Sequence, residues 1–287
     1  MKKILIVLLV VLVALYAALT IFSSKDEYKA EKLLYRALET YKKIAANPDV
    51  APPAMLAAVE KDLKKVVEKF RGSEAAKKGE SILAEFYLER KDYEKSIATL
   101  NDIIEQYKDE AFTASRAIFL KGVAFQKKGE WANALREFVR LRDDYAETPL
   151  GFQVPLYIGN YYKEQQNMAL ADEAHRQAVA FYEKIAQESK GKVLGYAALN
   201  FLLQAHLELG NNEVAGTLLE ELIKDYPSTI TYAQQLPKIE NLFINKLNNP
   251  QKAVELYRLI EKNANNVELS GLIDKKIQQI EGKGAEK

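Results

Sequence analysis

Apolar positions recur every three or four residues along most of the chain, which is the spacing of one face of an α-helix. The segment 129–145, GEWANALREFVRLRDDY, places Trp131, Ala134 and Phe138 on one face and charged side chains on the other. The segment 91–107, KDYEKSIATLNDIIEQY, shows the same pattern 38 residues earlier. These patterns predict an all-α protein.

The two segments belong to a longer internal repeat. When Ser96 is aligned with Ala134, the same frame continues in both directions along the chain. The residues that anchor the frame are Val59, Ser96, Ala134, Ala171, Ala215 and Ala253. Successive anchors are 37, 38, 37, 44 and 38 residues apart. A period this regular predicts stacked helical repeats.

Each anchored helix is preceded by another amphipathic helix. Small residues such as Gly122 and Gly159 on the first helix would allow the second helix to approach closely. Gly129, Asn167 and Gly210 stand just before the second helix, where they predict a tight turn. The repeating unit is therefore predicted to be an antiparallel helix pair.

The pattern resembles the tetratricopeptide repeat (TPR) family. The best match consists of Gly122, Phe125, Gly129, Trp131, Ala134 and Phe138, and the fourth repeat matches at Gly210, Ala215, Leu219 and Pro227. The resemblance covers residues 54–262 and implies a right-handed α-solenoid. The spacing exceeds the family's usual repeat of about 34 residues, and the fifth repeat carries Asn241 and Asn248 where a small residue and Gly are expected. Long repeats with SEAAKK-like openings resemble those of the bacterial cell-envelope branch of the family.

Four parts of the chain are predicted from these features. They are a signal anchor or transmembrane helix at 1–24, a first helix pair at 25–70, TPR-like repeats at 71–264, and a capping helix with a frayed tail at 265–287. The additional residues around AQESKGKVLG, between the third and fourth repeats, are expected to lengthen the helix ends and their turn. A break into two domains at that point is the alternative.

The N-terminal segment has the composition of a membrane span. Residues 4–22, ILIVLLVVLVALYAALTIF, form an uncharged run of 19 residues, or roughly 28 Å of helix. Its alanines lie inside the run, which favours an uncleaved anchor over a cleaved signal peptide. Lys2 and Lys3 favour a cytoplasmic N-terminus, although Lys25 weakens the charge asymmetry. The chain is thus predicted to be a single-pass protein of the bacterial inner membrane with its repeats in the periplasm.

Composition argues against several functions. The 41 basic and 40 acidic side chains nearly cancel, so nucleic acid is not indicated as a partner, and the absence of cysteine removes disulfides and thiolate metal sites. His175 and His206 occupy packing positions of the repeat, where a seam between helices is favoured over a metal site. No phosphate loop or hydrolase motif is present. We therefore expect no enzymatic activity, cofactor, metal or small-molecule substrate.

Tyrosines recur at a single position of the repeat frame. They are Tyr107, Tyr145, Tyr182 and Tyr226. Their periodicity favours packing between adjacent repeats over a ligand cage.

The resemblance implies that the first helix of each pair lines a concave face on which an extended or helical peptide can lie. The residues expected to form this partner-binding face are Arg116, Phe119, Gln153, Asn160, Lys163, Asn200 and Gln204. Lys78, Ser81 and Glu85 are expected to point the same way. The alternative is a solvated groove, with partner contacts on the convex side or the helix edges.

The predicted function is that of a membrane-anchored TPR scaffold or adaptor. It would bind a protein or peptide partner in the cell envelope and support assembly or secretion of a membrane complex. Two alternatives remain open, a periplasmic holdase-type chaperone at the secretion channel and a structural subunit of a larger envelope machine.

Overall fold

The computed structural model describes residues 26–44, 46, 52–227, 231–264 and 266–285. The described residues form helices and the turns between them, without any strand, so the prediction of an all-α protein is confirmed. None of the helices in these ranges is long and apolar enough to cross a membrane. The predicted span at 4–22 lies outside the described residues and remains a prediction.

The helices follow one another with short connections. They are α1 (26–44), α2 (Pro53–Lys69), α3 (Glu74–Glu89), α4 (Tyr93–Gln106), α5 (Ala111–Lys128), α6 (Trp131–Asp144), α7 (Pro149–Glu164), α8 (Met168–Glu188), α9 (Val193–Glu208), α10 (Asn212–Asp225), α11 (Tyr232–Ile239), α12 (Pro250–Ala264) and α13 (Val267–Ala285). The chain divides into two compact units, 1–151 and 152–287. This boundary lies within α7, and not at the AQESKGKVLG segment.

The turn inside each pair from α3 onward contains one residue in the left-handed backbone region. These residues are Lys91 (φ 62°), Gly129 (φ 87°), Gln166 (φ 58°), Gly210 (φ 74°) and Asn248 (φ 48°). They occupy equivalent places in the repeat. The expectation for Asn167 was wrong, because Asn167 has φ −92° and caps α8 by accepting a hydrogen bond from the Leu170 amide at 3.2 Å. Its neighbour Gln166 makes the turn instead.

Glycine allows the two helices of a pair to approach closely. A Cβ at Gly122 of α5 would lie 2.5 Å from the Phe138 ring of α6. A Cβ at Gly159 of α7 would lie 2.3 Å from the His175 ring of α8. Both distances are too short for a side chain, so the predicted close approach of paired helices is confirmed in these two repeats.

The longer third repeat results from one longer helix. Helix α8 has 21 residues, against 14 in α4, α6 and α10. The turns before α5, α7 and α9 all have four residues, so the expected lengthening of the turn was wrong. Because of the extension, Tyr182 lies inside α8 and donates a hydrogen bond from its hydroxyl to the Phe152 carbonyl at 2.7 Å. Tyr107, Tyr145 and Tyr226 each directly follow the last residue of their helix.

The first helix pair packs its apolar faces together and against α3. The buried members of this core include Ala30, Leu34, Ala37, Ile44, Val59, Leu63, Val66, Leu83 and Phe86. At the surface, the Arg36 guanidinium of α1 donates two hydrogen bonds to Asp62 of α2, at 2.8 and 2.6 Å. This bidentate pair fixes the register of α1 on α2.

The last pair departs from regular helical geometry. Its first helix is α11 followed by a π-helical segment, Glu240–Lys246. Phe243 of that segment packs on α10, where a Cβ at Gly216 would lie 3.2 Å from its ring. The apolar face is thus kept although the helix is interrupted.

Helix α13 covers the end of unit 152–287. Ile273 and Ile277 are fully buried in its core. Leu272 of the same helix is 46% exposed. Helix α13 continues to Ala285, into the part of the chain that was predicted to be a frayed tail.

Candidate partner-binding surface

An open groove lies between α3 and α5, the first helices of two successive repeats. Its volume is about 490 Å³, which is within the range of natural binding sites. Apolar side chains in the lining are Ile82, Leu100, Ile103, Phe112, Ala117 and Leu120. Polar and charged side chains in the lining are Glu74, Lys77, Lys78, Ser81, Thr113 and Arg116. We refer to these twelve residues as the α3–α5 groove.

The apolar part of the groove contains both buried and exposed side chains. Leu100 and Ile103 come from the inner face of α4 and are only 1% and 2% exposed. Phe112, at the start of α5, is 73% exposed. Phe112 thus adds an exposed aromatic surface to the apolar lining of the groove.

Lys77 and its neighbours form one wall of the groove. Its ammonium group forms an ion pair with Glu110 and lies 5.1 Å from the centre of the Tyr107 ring. The hydrogen bond from Lys77 holds the pKa of Glu110 below its usual value. The Lys77 side chain is therefore held in place from two sides.

The second and third cations of the groove differ in their pairing. The Arg116 guanidinium of α5 donates a hydrogen bond to Glu85 of α3 at 2.6 Å, which links the two walls. Lys78 is exposed, and no ion pair connects it to any residue that the structure describes. Lys78 is thus free to accept a carboxylate from outside.

A buried carboxyl group lies behind the Lys77 wall. Glu80 of α3 is 6% exposed, and its Oε2 atom has no hydrogen-bond partner among the described residues. Burial raises the pKa of Glu80, and a hydrogen bond from Tyr107 opposes this only in part. Burial also raises the pKa of Tyr107. Burial thus favours the neutral form of Glu80 relative to a solvent-exposed carboxyl group.

In unit 152–287, the predicted face forms a hydrogen-bonded polar row on α7 and α9. The Lys163 ammonium lies 2.6 Å from Glu208 Oε2, and the Gln204 amide donates to Glu208 Oε1 at 2.7 Å. Burial acts to raise the pKa of Glu208, but the hydrogen bonds from Lys163 and Gln204 outweigh it and lower that pKa overall. The structure thus brings Lys163 and Gln204 together through one carboxylate.

The other predicted residues of this unit have separate contacts. Lys238 of α11 donates to Asn200 Oδ1 at 3.1 Å. Asn160 Oδ1 lies 3.3 Å from His175 Nε2. Gln153 is exposed on α7.

Two of the residues predicted in unit 1–151, Arg116 and Phe119, have different environments. Arg116 lines the α3–α5 groove, whereas Phe119 is half-buried and packs against Phe138 of α6 with ring centres 5.7 Å apart. The sequence prediction did not include Phe112 or Lys77. Phe112 precedes Arg116 by four residues and therefore shares its helix face, which is the signal that could have identified it.

Both histidines are packed between helices, which confirms their structural interpretation. His175 is 1% exposed against Gly159, and burial lowers its pKa. His206 is 8% exposed, its Nδ1 lies 3.2 Å from the Asn211 amide nitrogen, and burial lowers its pKa. In the described ranges, no three His, Cys, Asp or Glu side chains are grouped so that they could hold a metal ion.

Comparison of the sequence with protein-family models finds one family that matches two segments. The segments 82–109 and 204–229 match the family model of the tetratricopeptide repeat. The first segment includes the second half of α3 and all of α4, and the second includes the end of α9 and all of α10. No curated protein matches the chain.

Several solved structures are similar at low identity. BtubC (BKLC) from P. vanneervenii is 9% identical over 92% of each chain, with a TM-score of 0.38. A tetratricopeptide repeat protein from Parabacteroides merdae ATCC 43184 is 14% identical over 88% of this chain and 98% of that one, with a TM-score of 0.39. The TPR2AB domain of yeast Sti1, in a pHSP90 complex, is 16% identical over 90% and 99%, with a TM-score of 0.33.

The family matches fall on helix pairs with the geometry described above. Both matched segments contain the second helix of a pair together with the turn that enters it, at Lys91 and Gly210 respectively. Segments 82–109 and 204–229 are therefore each similar to a tetratricopeptide repeat in sequence and in the order of their helices.

Proposed function

We propose that this chain is a membrane-anchored TPR scaffold that binds a protein or peptide partner in the cell envelope. Residues 4–22 would anchor it in the bacterial inner membrane, with the repeats in the periplasm. The partner complex would act in the assembly or secretion of a membrane complex. The observation that carries the proposal is the open α3–α5 groove with its exposed Phe112.

The chemistry of the groove suits a peptide. Its apolar side chains can receive a partner side chain, while Ser81, Thr113 and Lys78 offer polar groups to a peptide backbone or carboxylate. The Arg116–Glu85 and Lys77–Glu110 pairs hold the walls without a ligand. Binding therefore requires little reordering of the side chains in these two ion pairs.

A structural subunit is the second candidate, because apolar side chains are also exposed outside the groove. Met168 and Leu170 at the start of α8 are 55% and 44% exposed, and Val214 at the start of α10 is 45% exposed. A neighbouring chain that packs on these helix starts would cover them. This candidate predicts contacts that do not depend on the groove.

The experiment is site-specific photo-crosslinking in the full-length, membrane-embedded protein in living cells. The photoreactive residue is placed at Thr113 in the groove, at Asn160 of α7, at Met168, and at the exposed Glu183 of α8 as a control. One discrete product from Thr113 and none from Glu183 supports the scaffold. A smear of unrelated proteins favours the holdase, and a product from Met168 alone favours the structural subunit.

Protease accessibility tests the proposed membrane topology. Protease added to the periplasmic side of intact inner membranes is expected to degrade the repeats and leave the anchor. Protection from that side, with digestion only after the membrane is broken, would contradict the proposed topology.

A further inference from the structure

Helix α1 exposes two tyrosines on its outer face. Tyr28 is 66% exposed and Tyr35 is 65% exposed. Because Tyr35 follows Tyr28 by seven residues, the two side chains lie on the same helix face, about 10 Å apart along the axis. Within the part of the chain that the structure describes, Phe112 is the one other exposed aromatic side chain. Helix α1 thus presents an aromatic pair that the other described helices do not.

The opposite face of α1 is already covered by the fold. Ala30, Leu34, Ala37 and Ile44 are buried in the core that α1 forms with α2 and α3. The two tyrosines are therefore not needed for the packing of unit 1–151. A surface outside this unit would have to cover them.

Charge does not select what covers this face. The described residues 26–44 carry five basic and four acidic side chains. Three of the basic side chains form ion pairs, which are Lys29–Asp26, Arg36–Asp62 and Lys42–Glu39. The distinguishing chemistry of the face is therefore that of tyrosine, an apolar ring with a polar hydroxyl. Tyrosine is typical of the boundary between the hydrocarbon of a membrane and water.

The chain leads from the predicted membrane span directly to α1. The apolar run ends at residue 22, and the described part of α1 begins at residue 26. Four backbone steps reach at most about 14 Å, and the headgroup region of one leaflet is roughly 5–7 Å thick. A span at 4–22 would therefore hold the start of α1 beside the bilayer surface. Only a helix that lies along the surface brings both tyrosines into the headgroup region, because an upright helix carries Tyr35 about 10 Å farther out than Tyr28.

We infer that α1 lies along the membrane surface, with Tyr28 and Tyr35 in the headgroup region. This inference rests on the proposed membrane anchor and specifies which face of unit 1–151 meets the bilayer. Helices α2 and α3 then lie on the side of α1 that faces away from the membrane.

The test measures the depth of spin labels in the full-length chain, reconstituted in phosphatidylcholine vesicles. The sequence contains no cysteine, so a single introduced cysteine takes the only label. Lys32→Cys lies between the two tyrosines, Lys42→Cys lies seven residues beyond Tyr35 on the same face, and the control Lys65→Cys is exposed on α2. Depth is read as the collision rate of the label with oxygen, which concentrates in membranes, divided by its collision rate with a water-soluble nickel chelate.

We expect this ratio to be severalfold higher for labels at positions 32 and 42 than for the label at position 65. A double variant, Tyr28→Ser with Tyr35→Ser, should lower the ratio at position 42 to the control value, because the helix loses both interfacial rings. The matched control is Phe112→Ser with Val193→Ser, which removes two apolar side chains that are each 73% exposed, and it should leave the ratio unchanged. Anionic phosphatidylglycerol should have little effect, since the face is nearly neutral.

Three results would overturn the inference. A high ratio at position 32 with the control value at position 42 would show an upright helix. Labels shielded from both oxygen and nickel would show that a protein covers the face. A ratio that the tyrosine variant leaves unchanged would remove the role of the rings.

Flotation of the same vesicles separates this inference from the proposed anchor. A chain that floats with the vesicles while both α1 labels give the control value would keep the anchor and overturn only the placement of α1. A chain that does not float would overturn the anchor and the placement together.

Discussion

At the residue scale, the turns of the repeats show where sequence and structure diverge. Gly129 and Gly210 could be predicted as turn residues, because glycine adopts positive φ without steric cost. Lys91 and Gln166 hold the equivalent positions at φ 62° and 58°. Neither lysine nor glutamine is a residue type that predicts a positive φ. Side chains in the left-handed region cost roughly 1–2 kcal/mol, so the surrounding helix packing determines these two conformations.

Replacing Lys91 with glycine is expected to stabilise unit 1–151. The gain should be about 0.5–1 kcal/mol, because the relief of left-handed strain exceeds the extra entropy that glycine has in the unfolded chain. Thermal unfolding measures the change. Lys65→Gly, at an exposed position inside α2, should instead destabilise by about 1 kcal/mol. A lower melting temperature for Lys91→Gly would contradict the strain argument.

Gly159→Ala is expected to destabilise unit 152–287. The added Cβ would lie 2.3 Å from the buried His175 ring, and such overpacking typically costs about 1–3 kcal/mol. Denaturant unfolding gives the size of the effect. Gly271→Ala provides the control, since nothing lies within 4 Å of its Cβ position in α13, and helix propensity should make it stabilising. Equal effects of the two substitutions would refute close packing at Gly159.

Glu80 should make the free energy of unfolding fall as the pH rises. Burial raises its folded-state pKa above the usual value of 4.5, so its contribution to stability is full below pH 4.5 and is lost as the pH rises through the folded pKa. Besides Tyr107, the charged groups that act on it are Arg71 and Asp102. Between pH 4.5 and 8, Glu80→Gln should therefore raise the free energy of unfolding relative to the original chain, with a gain that grows until the pH passes the folded-state pKa of Glu80.

The measurement is denaturant unfolding of both chains across that pH range. Glu105→Gln removes a carboxylate at an exposed position of α4 and should leave the pH profile unchanged. A Glu80→Gln chain whose stability difference is the same at every pH would show that Glu80 titrates as it does in the unfolded state.

At the scale of elements, the repeat frame predicted the helix pairs because its anchors lie at fixed intervals on amphipathic helices. The frame could not show where the extra residues of the third repeat would go, since helix and turn both tolerate such sequences. The structure places them all in α8, which has 21 residues. The π-helical segment Glu240–Lys246 was equally unpredictable, because its apolar residues keep a helical spacing.

The extension of α8 makes the Tyr182 hydroxyl a link to the first turn of α7. Tyr182→Phe should destabilise unit 152–287 by about 1–2 kcal/mol, because the buried Phe152 carbonyl loses its hydrogen bond from that hydroxyl. Denaturant unfolding again provides the measurement. Tyr28→Phe, which changes a tyrosine that is 66% exposed, should have almost no effect. An unchanged free energy of unfolding in Tyr182→Phe would mean that a water molecule replaces the hydroxyl as the hydrogen-bond donor.

At the scale of the whole molecule, the near balance of 41 basic and 40 acidic side chains leaves recognition to local groups. The candidate site was only partly predictable for this reason. Arg116 was expected on the partner-binding face and lines the groove, but Phe119 packs against α6. Phe112 has the sequence pattern of a core residue, and only the three-dimensional arrangement shows that it is exposed. The right-handed solenoid and the membrane span at 4–22 remain predictions.

The central claim is that the α3–α5 groove holds a specific partner. The most direct measurement is the yield of the product crosslinked from Thr113 in living cells, compared between the full-length chain and its Phe112→Ser and Val193→Ser variants. We predict one discrete product whose yield falls about tenfold with Phe112→Ser and stays unchanged with Val193→Ser. No discrete product, or a yield that Phe112→Ser leaves unchanged, would contradict the claim.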